Sequence, residues 1–250
     1  MSGHSKWATI KHKKAATDAR RGKAFTKIIR ELTIAARAGG GDPDSNPRLR
    51  TAIQAAKAEN MPNDNIERAI LRGTGGLEGE QLEEAMFEGY GPGGVGMLVQ
   101  VVTSNRNRTV GEIRHLMSKN GGNLAESGAV GWQFSRKGDI SVPKELADEE
   151  KMLGIVLDAG AEDLRDDGSS WEVVTPPDAF EKVRDALVGA GIQPAAAEVS
   201  WLPQNYVKLT GQQAQQMLRL MDALEEYDDV QHVYANFDID EKEIQAAVAS

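Results

Sequence analysis

The period of the apolar residues changes once along this 250-residue chain, at the stretch GTGGLEGE, residues 73–80. Before it, apolar side chains recur at the three-and-four spacing of helices. After it, short runs rich in Val, Ile and aromatic residues alternate with helical patterns. One change of period divides the chain into a helical unit and a mixed unit joined by a Gly-rich linker. It excludes a helical repeat array.

In the helical unit, Phe25, Ile28, Ile29, Leu32 and Ala36 define one apolar face. At about 100° per residue, Lys23, Lys27, Arg30 and Arg37 fall opposite it, within a stripe of roughly 80° that only Ile34 interrupts. Gly39, Gly40 and Gly41 stop this helix. Asn46 is placed to cap the next helix, with Pro47 at its first position and Leu49, Ala52, Ile53 and Ala56 as its buried stripe. Met61-Pro62 ends it, and Asn63 caps a helix that carries Ile66, Ala69 and Ile70 and closes at Gly73. Two short helices around Pro62 fit an ordinary helical hairpin better than a DNA-reading helix-turn-helix.

In the mixed unit, residues 87–91 and 97–103 read as strands around a tight Gly-Pro-Gly-Gly turn, and 109–120 reads as a helix. Residues 130–134 and 139–142 read as short strands around an Arg-Lys-Gly turn. A helix over 149–159, a hairpin of 162–165 with 171–175, a helix over 177–190 and a strand over 196–201 follow. Strand, helix, two strands, helix, strand is the ferredoxin-like order. A last helix (212–227) and strand (230–237) have no neighbours of their own, and 82–130 holds too few strands for a core. These two pieces therefore belong together. The expected fold is α+β with three domains. A helical domain spans 1–75, a discontinuous α/β domain spans 82–130 plus 206–240, and a ferredoxin-like domain inserted into it spans 133–203.

Charge is divided along the same boundary. The chain has 29 Lys+Arg and 38 Asp+Glu, a net charge of -9. Residues 1–72 hold 15 basic and 7 acidic side chains, whereas 73–250 hold 14 basic and 31 acidic. A cationic end on an acidic chain points to an anionic partner. Lys6, Lys11, Lys13, Lys14, Arg20, Arg21, Lys23, Lys27, Arg30 and Arg37 supply dispersed positive charge for phosphates. Ser2, Gly3, Ser5, Thr9 and Gly22 let a backbone approach. Trp7 reads as a core anchor first and a base-stacking residue second. The stretch TSNRNRTVGEIRHLM, residues 103–117, puts Asn105, Arg106, Asn107, Arg108 and Arg114 near a helix N-terminus. It suits either a second phosphate contact or a self-capped loop.

Catalytic chemistry has little to stand on. The absence of Cys excludes disulfides and thiol nucleophiles. The four His are scattered, Glu112 and His115 read as a surface pair, and no Walker, GxSxG or HExxH motif occurs. GPGGVG, residues 91–96, lacks the Lys-Ser/Thr of a phosphate loop and leads into a strand. Asp163, Asp166, Asp167, Asp228 and Asp229 read as solvated turn residues. No metal or cofactor is expected. A charged N-terminus with no apolar run, and no membrane-length segment, make the cytoplasm the expected location.

The opening MSGHSKWATIKHKKAATDARRGKAFTKIIRELTIAARAGG resembles the start of the YebC/PmpR proteins. So do DPDSNPRLRTAIQAAKAENMPNDNIERAI (42–70), EGYGPGGVGMLV (88–99) and NRNRTVGEIRHLMSKNGGNL (105–124). Ser127-Gly128-Ala129-Val130 departs slightly from the GSV that many members carry. The resemblance runs through essentially the whole chain. It implies three domains, no established catalytic residue, and a cytoplasmic regulator described as a probable DNA-binding transcriptional regulator. Related proteins include a mitochondrial translational activator, and members are implicated in helping ribosomes through proline-rich stretches. The expected function is a non-enzymatic, nucleic-acid-binding transcriptional regulator. An rRNA- or ribosome-associated translation factor is the alternative, and an acidic protein-interaction scaffold is the distant one.

Overall fold

The structure, a computed structural model, describes Trp7 and residues 18–249, with side chains for Trp7 and 22–246. Among the described residues, the N-terminal helical domain holds α1 (Asp18–Gly39), α2 (Pro47–Ala58) and α3 (Asn63–Gly73). Leu32, Ala35, Ala36, Leu49, Ala52, Ala56, Met61, Ile66 and Ala69 form its core. Small residues at the contacts let the helices pack closely. Asn46 caps α2, accepting from the Leu49 amide at 3.1 Å. Its amide group donates to the Ala35 and Gly40 carbonyls at 2.8 and 2.9 Å, so the same side chain ties α2 to the end of α1. Met61 is 4 % exposed, so it belongs to the core as well as to the turn.

The first α/β domain contains β1 (Glu83–Tyr90), β2 (Gly96–Thr103), α4 (Arg106–Lys119) and β3 (Asn123–Leu124). After the inserted segment it resumes with β8 (Val207–Lys208), α7 (Gly211–Glu225), β9 (Val230–Ala235), β10 (Phe237–Asp238) and α8 (Glu241–Ala249). Its main sheet has the order β3-β1-β2-β9, so the strand near the C-terminus pairs with a strand more than a hundred residues earlier. β2 pairs antiparallel with β1 (Phe87↔Val99) and with β9 (Val99↔Val233). Met97, Val99 and Val101 of β2, Ile113 and Met117 of α4, and Met217, Leu218, Met221 and Leu224 of α7 share one core. Trp7 is buried in that same core, which makes it an anchor and removes it as a stacking residue.

The inserted domain runs β4 (Phe134–Pro143), α5 (Glu149–Ala159), β5 (Asp163–Asp166), β6 (Ser170–Thr175), α6 (Phe180–Gly189), β7 (Ala196–Pro203). Its antiparallel sheet has the order β5-β6-β4-β7, the ferredoxin-like arrangement. Leu98 and Tyr234 from one sheet meet Phe134 and Trp201 from the other in an apolar cluster between the two α/β domains.

Several local expectations are corrected. Residues 131–133 form a 3-10 turn, and β4 runs unbroken through Arg136-Lys137-Gly138. Gly138 is there for close approach, since a Cβ would lie 2.2 Å from Thr175 Oγ1 and 2.7 Å from the Phe180 ring. The helix expected from residue 109 begins at Arg106, with Asn105 as its cap. The helix expected from 177 begins at Phe180. α8 follows the last expected strand as a further helix. Its buried Ile244 packs into the first α/β core, and Asp240 caps the Lys242 amide at 2.9 Å.

Candidate nucleic-acid interface

Lys23, Lys27 and Arg30 lie at i, i+4 and i+7 of α1, so they form one row along the helix. The row faces the 225–229 turn, which joins the end of α7 to β9 and carries Glu225, Glu226, Asp228 and Asp229. Lys23 Nζ lies 2.6 Å from Glu226 Oε2 and 3.2 Å from the Glu226 carbonyl oxygen. Lys27 Nζ donates to the Glu225 carbonyl at 2.6 Å. Arg30 Nη1 sits 2.9 Å from Asp229 Oδ1 and also donates to the Asp228 carbonyl. The last carbonyls of a helix carry partial negative charge and lack intrahelical partners, so cations suit the end of α7 as they suit its carboxylates.

Asp229 is the hub of this contact and is 2 % exposed. Besides Arg30 it holds Arg108 Nη2 at 2.9 Å, and it accepts from the hydroxyls of Thr109 (2.6 Å), Thr103 (3.1 Å) and Tyr227 (3.1 Å). Burial pushes its pKa up. The hydrogen bonds from Thr109 and Arg108, the Arg30 charge and the Tyr227 hydroxyl outweigh burial and bring it from 3.8 down to about 2. The expectation that Asp229 is a solvated turn residue is therefore corrected. It is charged, buried and fully partnered. Arg30 and Arg108, from the two basic stretches separated in sequence, meet on its carboxylate.

A second ionic tie lies along the same seam. Arg48 of α2 donates from Nε and Nη2 to Glu31 of α1 at 2.6 and 3.0 Å, and from Nη1 and Nη2 to Glu84 of β1, both at 3.0 Å. Burial pushes Glu84 up, but the Arg48 bonds and charge prevail and hold its pKa below the usual carboxylate range. Arg37 donates to the Leu82 carbonyl, just before β1. Nothing in the spacing of Arg48, Glu31 and Glu84 marks them as partners, because the fork forms only once α1, α2 and β1 are assembled.

The expected phosphate-contacting residues thus divide into three groups. Lys23, Lys27, Arg30 and Arg37 contact the first α/β domain or the linker that leads to it, and Arg108 shares Asp229 with Arg30. Arg106 is exposed, with its guanidinium 5.4 Å from the Phe87 ring centroid. Lys6, Lys11, Lys13 and Lys14, and the side chains of Arg20 and Arg21, lie outside the described residues. The helical domain also presents Lys57, Arg68 and Arg72 to solvent, cations outside the dense basic stretch of residues 1–37. Among the described residues, no group of His, Asp and Glu has the arrangement to hold a metal ion, and no helix is long and apolar enough to cross a membrane.

Family models for the TACO1/YebC N-terminal domain and for the TACO1/YebC second and third domains match residues 5–76 and 82–237. The chain belongs to the TACO1/YebC family. This YebC/PmpR protein is similar to a probable transcriptional regulatory protein of Solibacter usitatus, 62% identical over 246 residues, 98% of this chain and 99% of that one. A protein of the same description from Koribacter versatilis is 58% identical over 245 residues, 98% of each chain. A crystal structure of a conserved hypothetical protein from Aquifex aeolicus matches with a TM-score of 0.79 at 48% identity. That match covers 89% of this chain and 92% of the other.

Proposed function

We propose that this family member is a non-enzymatic regulator that binds nucleic acid through its helical domain, acting on DNA in transcription. The names of its relatives supply the regulatory role. One observation supports the binding: the α1 row holds a line of acceptor oxygens at 2.6–3.2 Å, two from the carboxylates of Glu226 and Asp229 and two from the backbone carbonyls of Glu225 and Glu226, at the distances where Lys and Arg also hold phosphate oxygens. In the docked arrangement those oxygens belong to the 225–229 turn. Nucleic acid reaches Lys23, Lys27 and Arg30 by replacing the turn, while Lys6, Lys11, Lys13, Lys14, Arg20, Arg21 and Arg106 add to the cationic field. Domain bounds of 1–75, 82–130 with 206–240, and 133–203 fit this division of labour.

Contact with ribosomal RNA is a second reading. The α1 row consists of Lys and Arg, which suit phosphates, with no Asn or Gln set to read base edges. Such contact tolerates many sequences.

The test is binding against salt. About six neutralised phosphates imply an affinity loss of roughly 10³ between 50 and 200 mM salt. Changing Lys11, Lys13, Lys14, Arg20 and Arg21 together to Glu is expected to abolish binding and leave the unfolding transition in place. Unchanged affinity rejects the proposal. Comigration with ribosomes that is lost after RNase or in high salt selects the translation reading. Recovery of particular promoters without ribosomes selects transcription.

A further inference from the structure

Trp132 is 68 % exposed, whereas Trp7 and Trp171 are 2 % and 8 % exposed. It is also held in place. It sits in the 3-10 turn Gly131–Gln133, and its indole Nε1 donates to the Ala129 carbonyl at 3.2 Å. Its polar edge is thus already satisfied, and what faces solvent is chiefly aromatic surface. The turn is fixed from beneath by Glu88. Glu88 Oε1 accepts from the Gly128 amide, and Oε2 accepts from the Val130 and Gly131 amides, all at 2.7 Å. Val130 is fully buried against Leu98, Phe134 and Tyr234.

The adjoining chain segments are small, polar and poor in charge, and the Glu88 carboxylate against the turn is taken up by three backbone amides. Residues 89–105 and 199–207 contain no charged side chain, and 120–135 contain only Glu126, in a stretch of chain (73–250) whose net charge is -17. Gly96 and Asn236 contact Gln133, and Asn236 also donates to Asn205, so a Gly- and amide-rich surface adjoins the turn. Among the described residues, the other large exposed apolar side chains, Leu71, Leu77, Leu146, Leu157 and Val188, lie elsewhere along the chain. A protein interface gathers several apolar anchors into a desolvated patch, and a membrane surface needs a broad apolar face beside basic residues. A single immobilised ring among Gly, Ser and amide side chains instead matches one planar group lying flat on it. With few charged side chains in these segments and the Glu88 carboxylate taken up by three backbone amides, a polyanion meets less repulsion here than elsewhere on the acidic body.

We propose that Trp132 is a stacking platform for an unpaired nucleobase. The inference rests on the nucleic-acid reading above and adds to it that the bound strand is at least partly single-stranded.

The test uses the full chain, with short single-stranded RNA and DNA oligonucleotides and the matching duplexes. Trp132→Ala and Trp132→Phe are compared with the wild type by affinity at low salt and by tryptophan emission. Stacking on an aromatic side chain predicts about a tenfold loss of single-strand affinity for Trp132→Ala. Trp132→Phe keeps most of the affinity, duplex binding is unaffected, and the single strand quenches wild-type emission but not that of Trp132→Phe. The unfolding midpoint of Trp132→Ala stays put, because the side chain is exposed. Single-strand binding of equal strength and equal quenching with and without Trp132 overturns the inference and leaves the nucleic-acid reading standing. No binding of any nucleic acid by the wild type overturns both. A photo-crosslinker at position 132 that captures protein and not nucleic acid also overturns the inference.

Discussion

Replacing Asp229 with Asn removes the charge at the hub while keeping its shape. In the folded protein the Asp229 carboxylate has a pKa of about 2 against 3.8 for an unperturbed group. At about 1.4 kcal/mol per unit, the ionised form contributes about 2 kcal/mol to stability at neutral pH. Removing one member of a buried ion pair costs about 3–5 kcal/mol when the partner is stranded. Here Arg30 keeps the Asp228 carbonyl and Arg108 is half exposed, so the low end applies. The expected loss for Asp229→Asn is about 2–3 kcal/mol near pH 7, read from urea unfolding. The sign with pH follows from a depressed folded pKa. The carboxylate's contribution is complete above about pH 4 and disappears as pH falls from there through about 2. The gap between wild type and variant should therefore close over that window, even as both proteins lose stability in acid. A gap that stays constant with pH, or is below about 0.5 kcal/mol at pH 7, refutes the hub assignment.

Arg48→Lys keeps the charge but loses the double fork to Glu31 and Glu84. It should lower stability by about 1–2 kcal/mol and raise amide exchange along the seam between α2 and β1, measured by hydrogen exchange. Gly73→Ala puts a Cβ 2.4 Å from the Thr33 carbonyl oxygen and 2.8 Å from Ala36 Cβ, where α3 ends against α1. Backbone is at fault there, so the helical domain should lose at least about 2 kcal/mol, seen as a lowered thermal midpoint.

The sequence declares local structure where the cause is local. Asn46-Pro47 marks the start of α2 because the capping bond closes within three residues. The order of strands and helices implies the insertion because 82–130 has too few strands to stand alone, and β9 completes its sheet. Where the cause is distant, the reading goes astray. Arg136-Lys137-Gly138 has the composition of a turn, but its glycine answers Thr175 and Phe180, about forty residues on. Asp229 has the composition of a solvated turn, yet Arg30 and Arg108 bury and hold it. The cationic stripe of α1 is legible from helical geometry alone. Its occupant is not, because the 225–229 turn lies about two hundred residues away. Glu88 and Trp132 likewise gain meaning only when the 126–133 loop folds over β1.

The Glu226→Gln/Asp228→Asn double variant tests most directly whether the α1 row exchanges an acidic turn for phosphates. Glu226 pairs with Lys23 across a half-exposed contact, so its loss changes stability by no more than about 1 kcal/mol. The measurement is the affinity of the full chain for nucleic acid at 50 mM salt, for wild type and variant side by side. Tighter binding by the variant, up to about fivefold if a contact of that size is released, is the predicted result. Equal or weaker binding would mean that turn and phosphate do not compete for the same cations, and would contradict the account.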